Sequence, residues 1–537
     1  MSTETPQKLP GIPDVPADQR TPAVLRLLEH CHRQQEELQA LRDEVARLKG
    51  QKPKPVIRPS ALEGERSETK KARQPKPRGK RSKTAELEIH ESVKRQPAEA
   101  IPPNSRFKGY QDFVVQELRI GVHNTRYRLE RWVSPEGVSL IGQLPAEMGG
   151  VHFGPQLRAF ILYQYHHAHV TQPLLLEQLR EWQIAISAGQ LSALITDAHG
   201  EFHREKDALL QAGLQRSRYV HVDDTGARHR GKNGYCTHIG NERFAWFAST
   251  ESKSRINFLE LLRAGHEAYT LNPAALAYLA EHKLPCAQLQ ALTALAPAVW
   301  TGQTAWQAVL AQQAITDPRH VRLVTEGALL GTVVEQGVAP DLAIVSDDAG
   351  QFDVLTHALC WIHAERVLAK LLGFNEPQRQ ALASVRSELW AIYDALKAYK
   401  EAPDALTAAA IEARFEKLCA TRTGYASLDR ALKRMRRNQA ELLRVLQRPE
   451  LPLHNNLSES DIRDHVKKRK ISGSTRSESG RRCRDTFASL KKTCRKNGLS
   501  FWQYVQDRVF GWHRIAPLAQ WIFEATPTAA NVLVHDQ

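Results

Sequence analysis

The sequence predicts a mixed α/β protein. A small sheet is interrupted by large all-α insertions and follows an N-terminal coiled coil and a helix-turn-helix-like helical region. Three observations point there. Two short runs, Tyr219 to Val222 ("YVHV") and Asp341 to Val345 ("DLAIV"), read as strands, and each leads into paired aspartates. Helix dominates Gln156 to His199 and again Gln351 to Leu446. A chain of 537 residues, 42% apolar and 25% charged, can build several domains around at least one large core.

Composition excludes several classes. No run of 18 apolar residues exists, so no membrane-spanning helix is expected. The N-terminus "MSTETPQKLPGIPDVPADQR" has no apolar centre and does not read as a secretion signal. Seven scattered cysteines without a C-x-x-C pair point to reduced thiols in a cytosol, not to a disulfide framework or a zinc ribbon.

Along the chain, Val24 to Leu48 carries a heptad seam. Val24, Cys31, Leu38 and Val45 fill one position, and Leu27, Gln34, Leu41 and Leu48 the other. That length suits a dimeric coiled coil ended by Gly50, with a lone amphipathic helix as the plainer reading. Gln51 to Pro103 has no apolar period and reads as a basic disordered linker. Within it Pro77-Arg78-Gly79-Lys80 resembles a minor-groove hook, and Arg78, Lys80 and Arg81 are candidate DNA contacts. Phe113 to Trp132 is expected to form two strands around His123-Asn124. A helix up to Trp182, a break, and Ser187 as the cap of the next helix fit a helix-turn-helix, or two ordinary packed helices. "RFAWFAST" is a further strand, Ser252 to Leu342 is mostly helix, and "LHNNLSESDIRDHVKKRK" starts a helix capped by Asn455 or Asn456.

The net charge of +15 is concentrated. Gly50 to Lys83 holds twelve Lys/Arg against three Asp/Glu, and Arg463 to Lys496 holds thirteen against three. Such clusters suit a polyanion, nucleic acid before others. Against this background the acids are informative. Asp223 and Asp224 end one strand, Asp347 and Asp348 another, and Glu459 lies in the first turns of a later helix. Carboxylates brought together repel unless cations neutralise them. Mg²⁺ accepts carboxylate, water and phosphate oxygens. Two such ions about 3.5–4 Å apart support an in-line phosphoryl displacement.

The stretches "HVDDTGARH", "SDDAGQFDVLTHALCWIHAER" and "NNLSESDIRDHVKKRKISGSTRSESG" together resemble the transposases named after insertion sequence 66. Those are DDE transposases with a ribonuclease H-like core. The resemblance runs from about Val24 to about Trp512. It implies catalytic, metal-holding acids at Asp223, Asp347 and Glu459, with Asp224 and Asp348 as fallback ligands because strand alternation could aim either member of each pair inward. Cys360, Trp361, His363 and Arg366 match the family's C-W-x-H-x-R stretch with one extra residue before the arginine. His363 reads as a DNA-positioning group or a hydrogen-bonded helix histidine. Arg463, four residues after Glu459, reads as a phosphate contact or a helix salt bridge. Lys467, Lys468, Arg469, Lys470, Arg481, Arg482 and Arg484 are expected to meet phosphates. Ser460 departs from the family's usual arginine, and the segment between the first two acids is longer than usual.

The implied organisation is a disordered terminus (1–21), a coiled coil (22–50), a basic linker (51–104) and a small β-rich region (105–150). A helical, helix-turn-helix-like DNA-binding region (151–215) follows. The ribonuclease H-like core (216–515) carries helical insertions at about 252–342 and 365–448, and a tail (516–537) closes the chain. The implied activity is cleavage at transposon ends and joining of the freed 3′-hydroxyl to target DNA, with two Mg²⁺ (or Mn²⁺). The implied partners are terminal inverted repeats, target DNA, a second copy through the coiled coil and accessory proteins of the same element, at a bacterial nucleoid. The rival readings are an inactive DNA-binding relative and a Mg²⁺-dependent nuclease without strand transfer.

Overall fold

The computed structural model describes residues 152–523 apart from 337 and 340, together with parts of 21–38, 88–95 and 105–145. Arg78, Lys80, Arg81 and most of the basic linker lie outside the described residues, as do Leu41, Val45 and Leu48 of the heptad seam. The remaining seam positions, Val24, Leu27, Cys31, Gln34 and Leu38, are helical, and Leu27 and Leu38 are exposed. Residues 53–126 form a unit of their own, whose described stretches carry no helix or strand. Inside it the Phe107 and Tyr110 rings meet edge-on at 5.2 Å.

The hairpin expected around His123-Asn124 forms further along. Strand β1 (Arg131–Val133) pairs antiparallel with β2 (Ser139–Ile141), with Trp132 opposite Leu140. The turn is Ser134 to Val138, with glycine at positive φ at Gly137, which supplies the left-handed conformation that His123-Asn124 lacks a glycine to provide.

Three helices then pack together: α1 (Pro155–His166), α2 (Gln172–Glu181) and α3 (Ala188–Thr196). Ile161, Leu175, Leu179, Ile186, Leu191 and Ile195 form their shared core. Ser187 caps α3 as its sequence suggests, in a capping box: its hydroxyl accepts from Gln190 N, and its own N–H donates to the Gln190 side chain. Helix α4 (Gly200–Arg216) leads into the sheet. A Cβ at Gly213 would come within 2.4 Å of the Phe244 ring, so this helix packs closely only because that residue has no side chain.

The central sheet is mixed and five-stranded. β3 (Tyr219–Gly226), β4 (Tyr235–Gly240) and β5 (Ala245–Thr250) are antiparallel, while β8 (Ala343–Ser346) and β9 (Thr356–Leu359) run parallel to β3. The order is β5-β4-β3-β8-β9. Between β5 and β8 lie α5 (Arg255–Leu262), β6 (Ala268–Leu271), α6 (Pro273–Glu281), α7 (Cys286–Leu295), β7 (Ala298–Thr301), α8 (Gln303–Gln312) and α9 (Pro318–Glu335). This insertion is not purely helical, because β6 and β7 form their own antiparallel pair with Tyr269 opposite Trp300. Its apolar residues Tyr269, Leu279, Trp306 and Leu329 join the same core as Val220, Val222 and Ile344 of the sheet.

After β9 come α10 (Trp361–Ala369), α11 (Glu376–Glu401), α12 (Ala405–Ala420), α13 (Ala426–Arg437) and α14 (Gln439–Leu442). This second insertion has its own core, built on Leu389, Ile392, Leu396, Phe415, Leu428 and Leu432. The chain returns through α15 (Asn456–Ser472), α16 (Glu478–Lys496), α17 (Phe501–Phe510) and α18 (Gln520–Phe523). Among the described residues no helix is long and apolar enough to cross a membrane.

Helix α16 solves a problem at the sheet edge. β5 is an edge strand, and its outward N–H groups need partners. Asp485, Ser489 and Thr493 accept from Ser249 N, Phe247 N and Ala245 N at 2.7, 2.9 and 3.1 Å. Four residues of helix rise about 6 Å and two of strand about 6.8 Å, so a four-residue helical spacing tracks a two-residue strand spacing. Ser489→Ala leaves the buried Phe247 N–H without its acceptor. The expected loss is about 1–3 kcal/mol of unfolding free energy in a urea titration; a loss within error of zero would show that this cover is not what holds the edge.

Candidate active site

Strand β3 outlasts its parallel partner. It pairs with β8 only as far as His221 opposite Val345, but with β4 as far as Gly226 opposite Tyr235. The two aspartates therefore lie within the strand and not at its end. Continuing the β3–β8 register sets Asp347 beside Asp223. Strand alternation puts His221 and Asp223 on one face, with His238 directly across on β4. Asp224 takes the other face, where it accepts from Gln351 Nε2 at 2.8 Å. Asp348 is held in an ion pair by Arg434 at 2.5 Å.

Helix α15 docks on the face that carries Asp223. Asn455 does not use its side chain to cap the helix, as the sequence suggested. Its Oδ1 meets His221 Nδ1 at 2.9 Å, and its Nδ2 donates to Val222 O at 2.8 Å. One turn on, Ser458 Oγ lies 2.6 Å from His238 Nδ1, and Asp461 lies 3.2 Å from the other nitrogen of that ring. Burial lowers the pKa of both histidines, to about 4 for His221, so His221 docks as a neutral ring. Burial pushes Asp461 up, but His238 and Lys496 more than offset it and bring it to about 2. These contacts fix the first turn of α15 and so the position of Glu459.

Glu459 is held from the opposite side by α10. Arg366 donates to both carboxylate oxygens, at 2.9 and 3.4 Å, and His363 Nε2 lies 3.4 Å away. The Cys-Trp-x-His-x-x-Arg stretch thus divides its work. Cys360 Sγ accepts from Asn455 N at 3.1 Å, Trp361 donates to Leu442 O at 2.7 Å inside the second insertion, and His363 and Arg366 face the third acid. Arg463 is exposed, and the Glu459 carboxylate turns to α10 instead of to it.

Asp223, Asp347 and Glu459, far apart in sequence, act on one another. Burial raises the Asp223 pKa well above the usual carboxylate range, and the charges of Asp347, Asp224 and Glu459 push the same way. Only the Asp224 N–H, at 2.8 Å, opposes this. Burial lowers the His363 pKa, against the charges of Asp347 and Glu459. Among the described residues neither Asp223 nor Asp347 has a basic ion-pair partner.

Several expected phosphate contacts fall elsewhere. Lys468 is buried: its ammonium donates to Tyr165 O at 2.8 Å and sits 3.7 Å from that ring's centre. Arg469 binds Thr225 Oγ1 at 3.2 Å and the Gly226 carbonyl, clamping the end of β3. Arg481 pairs with Glu478 at 2.7 Å, and Arg484 donates to Gly473 O at 3.3 Å. Lys467, Lys470 and Arg482 are exposed. Cys236, His465 and Asp485 also approach within 4.8 Å, but Asp485 already accepts from Ser249 N–H and O–H as the edge-strand cover.

A family model described as Transposase IS66 family matches residues 150–268 and 344–482. The uncharacterized protein y4jO of Sinorhizobium fredii (strain NBRC 101917 / NGR234) is 45% identical over 314 residues, 58% of this chain and 98% of that protein. This chain belongs to the Transposase IS66 family. A member of a transposase family is an enzyme that acts on DNA. The first matched block holds Asp223 and the second holds Asp347 and Glu459, and the gap between them falls in the insertion built on β6 and β7. His221, His238, Asn455 and Ser458 carry the docking of the third acid, yet sequence reading missed them. The signal the sequence held was that His221 interrupts the otherwise β-type run Tyr219 to Val222.

Two outcomes follow. Asn455→Ala strands both His221 Nδ1 and Val222 O, and should lower unfolding free energy by about 2–4 kcal/mol in urea. No measurable loss would remove this residue from the docking. Burial, with Arg484 and Lys491 nearby, pushes the Lys468 ammonium from 10.5 down to about 7. Its folded-state penalty is complete below about pH 7 and fades as pH rises toward the unfolded pKa. The melting temperature of Lys468→Met relative to wild type should therefore be highest near pH 6 and fall steadily toward about pH 10; a flat difference contradicts the burial of a charge there.

Proposed function

We propose that this protein cuts the ends of a transposable DNA element and joins the freed 3′-hydroxyl to target DNA, using Asp223, Asp347 and Glu459 in a ribonuclease H-like core. One observation carries the reading: the β3–β8 register sets Asp347 beside Asp223 while α15, docked on the same face, carries Glu459, and burial, together with the charges of Asp347, Asp224 and Glu459, raises the Asp223 pKa. The strand order β5-β4-β3-β8-β9, with three antiparallel strands and two parallel additions, supports that core assignment.

The donor set fits a hard divalent cation. It is all oxygen, it is partly desolvated, and Asp223 and Asp347 have no basic partner among the described residues. Asp223, Asp347 and Glu459 would hold Mg²⁺ (or Mn²⁺), which supplies charge stabilisation at an attacking and a leaving oxygen of a phosphodiester. The chain's own groups set the geometry. Arg366 and His363 fix the Glu459 carboxylate, and His221 and His238 fix the helix that presents it. Asp224, tied to Gln351, and Asp348, tied to Arg434, are turned to other work and are weaker candidates as ligands.

The test is Mg²⁺-dependent cleavage and joining of the element's own terminal repeats by full-length protein. Asp347→Asn and Glu459→Gln should each reduce product by at least about a hundredfold while DNA binding persists, the scale expected when a metal-centred electrostatic contribution is lost. Cleavage without joined product would favour a nuclease, and binding without cleavage by wild type would favour an inactive relative.

A further inference from the structure

Helix α13 carries charge that the acid site does not account for. Its inner face, Leu428, Ala431, Leu432 and Met435, seats in the core of the second insertion. Its outer face presents Arg430, Lys433, Arg434, Arg436 and Arg437, all exposed. The helix's one acid, Asp429, is occupied with Thr423, accepting from its N–H at 2.9 Å and its hydroxyl at 2.8 Å. Among the described residues only Arg434 of the five cations has a carboxylate partner, and that partner is Asp348, the chain neighbour of Asp347.

Arg430, Lys433, Arg434 and Arg437 stand at i, i+3, i+4 and i+7, one stripe about 10 Å long. Like charges at these spacings repel and weaken the helix unless an anion lies against them. The stripe meets the rim of the acid cluster near its middle, through the Arg434–Asp348 pair. Two further cations lie near that cluster: Lys370 acts on His363, which faces Glu459, and Lys253 acts on Asp224, the chain neighbour of Asp223. Duplex DNA advances about 3.4 Å per phosphate along one strand, so the stripe spans about three phosphates.

We infer that this stripe is a phosphate-binding track that lays one backbone of duplex DNA alongside the acid site. The inference rests on Asp223, Asp347 and Glu459 being the site that cuts DNA, and it names how the substrate reaches them. Arg434 divides its guanidinium between Asp348 and the DNA, tying the track to the strand that carries the second acid. The remaining three cations grip phosphate without reading sequence, so the track gives affinity and register rather than specificity.

The experiment is fluorescence anisotropy of full-length protein on duplex DNA across a salt series, without divalent cation. A variant with R430Q, K433Q and R437Q keeps the Arg434–Asp348 pair. It should lower the slope of log affinity against log salt by about 2–3 relative to wild type. A control that removes three exposed cations elsewhere (R204Q, R322Q and K397Q) should leave the slope close to wild type. An unchanged slope in the track variant with an unchanged circular dichroism spectrum overturns the inference, and so does an equal drop in the control. If the triple variant does not fold, K433Q alone should lower the slope by about 1, and no change there is equally fatal. The measurement does not depend on catalysis. A wild type that fails to cleave while the track variant loses slope refutes the acid-site reading and keeps the track. Active cleavage with an unaffected track variant does the reverse.

Discussion

The candidate site depends on one docking event, the seating of α15 against β3 and β4. Two acids come from strands that the sheet already fixes beside each other. The third comes from a helix 112 residues later in the chain, and that helix is seated by hydrogen bonds, His221 to Asn455, Asn455 to the Val222 carbonyl, and His238 to Ser458, before Arg366 orients the carboxylate. These bonds sit under the helix, on the same sheet face as Asp223. A buried, neutral His221 seats the start of the helix without adding net charge beside Asp223, and the contacts of Asp461 with His238 and Lys496 hold the next turn.

The face that α15 buries is itself polar. Ser458, Asp461, His465 and Lys468 recur at helical spacing and are all buried. This explains much of what could and could not be seen in the sequence. The strands that carry the aspartates were legible because they are short β-branched runs, and the cap of α3 was legible because Ser187 follows a break and has a local capping mechanism, while the reciprocal bond from Gln190 emerged only in the structure. Strand β4 was hidden, since "YCTHIG" lies between glycine-rich turns and reads as part of them. Strand β9 was hidden inside a helix-rich stretch because four residues are too few for a period. The inward face of α15 was invisible for a different reason: periodicity is detected through apolar residues, and here Ile462 is the one apolar residue among buried positions that are otherwise Ser, Asp, His and Lys.

Charge composition misleads in the same way. The basic run at 467–470 looked like a uniform polyanion-binding segment, but a helix turns 100° per residue and splits it. Lys467 and Lys470 face solvent, Lys468 is buried against Tyr165, and Arg469 clamps β3. On α16, Lys491, Lys492 and Lys496 are likewise taken up by Asp464 and Asp461, which makes them structural cations of the helix pair. Helix α13, with no long basic run, keeps its cations outside because its inner face is made of Leu, Ala and Met. The number of cations in a window therefore says less about a polyanion surface than which of them have an apolar face to turn away from.

The second helical insertion is tied into the acid cluster at two points and braced internally at a third. Arg366 of α10 grips Glu459, Arg434 of α13 grips Asp348, and Trp361 anchors the start of α10 by bonding Leu442. The arginines fall on Glu459 and Asp348 and leave Asp223 and Asp347 without a basic partner among the described residues. This division has a physical consequence. Glu459 is oriented by a cation the protein supplies, whereas neither strand acid has one within ion-pair distance among the described residues. The Arg366 position in turn requires α10 to be seated through its own Trp361 and Leu368 in the insertion's core, with Leu359 and Leu453. Loosening that core would misdirect the third carboxylate while leaving the sheet and its two aspartates in place, so the insertion is part of the site's construction and not an appendage to it.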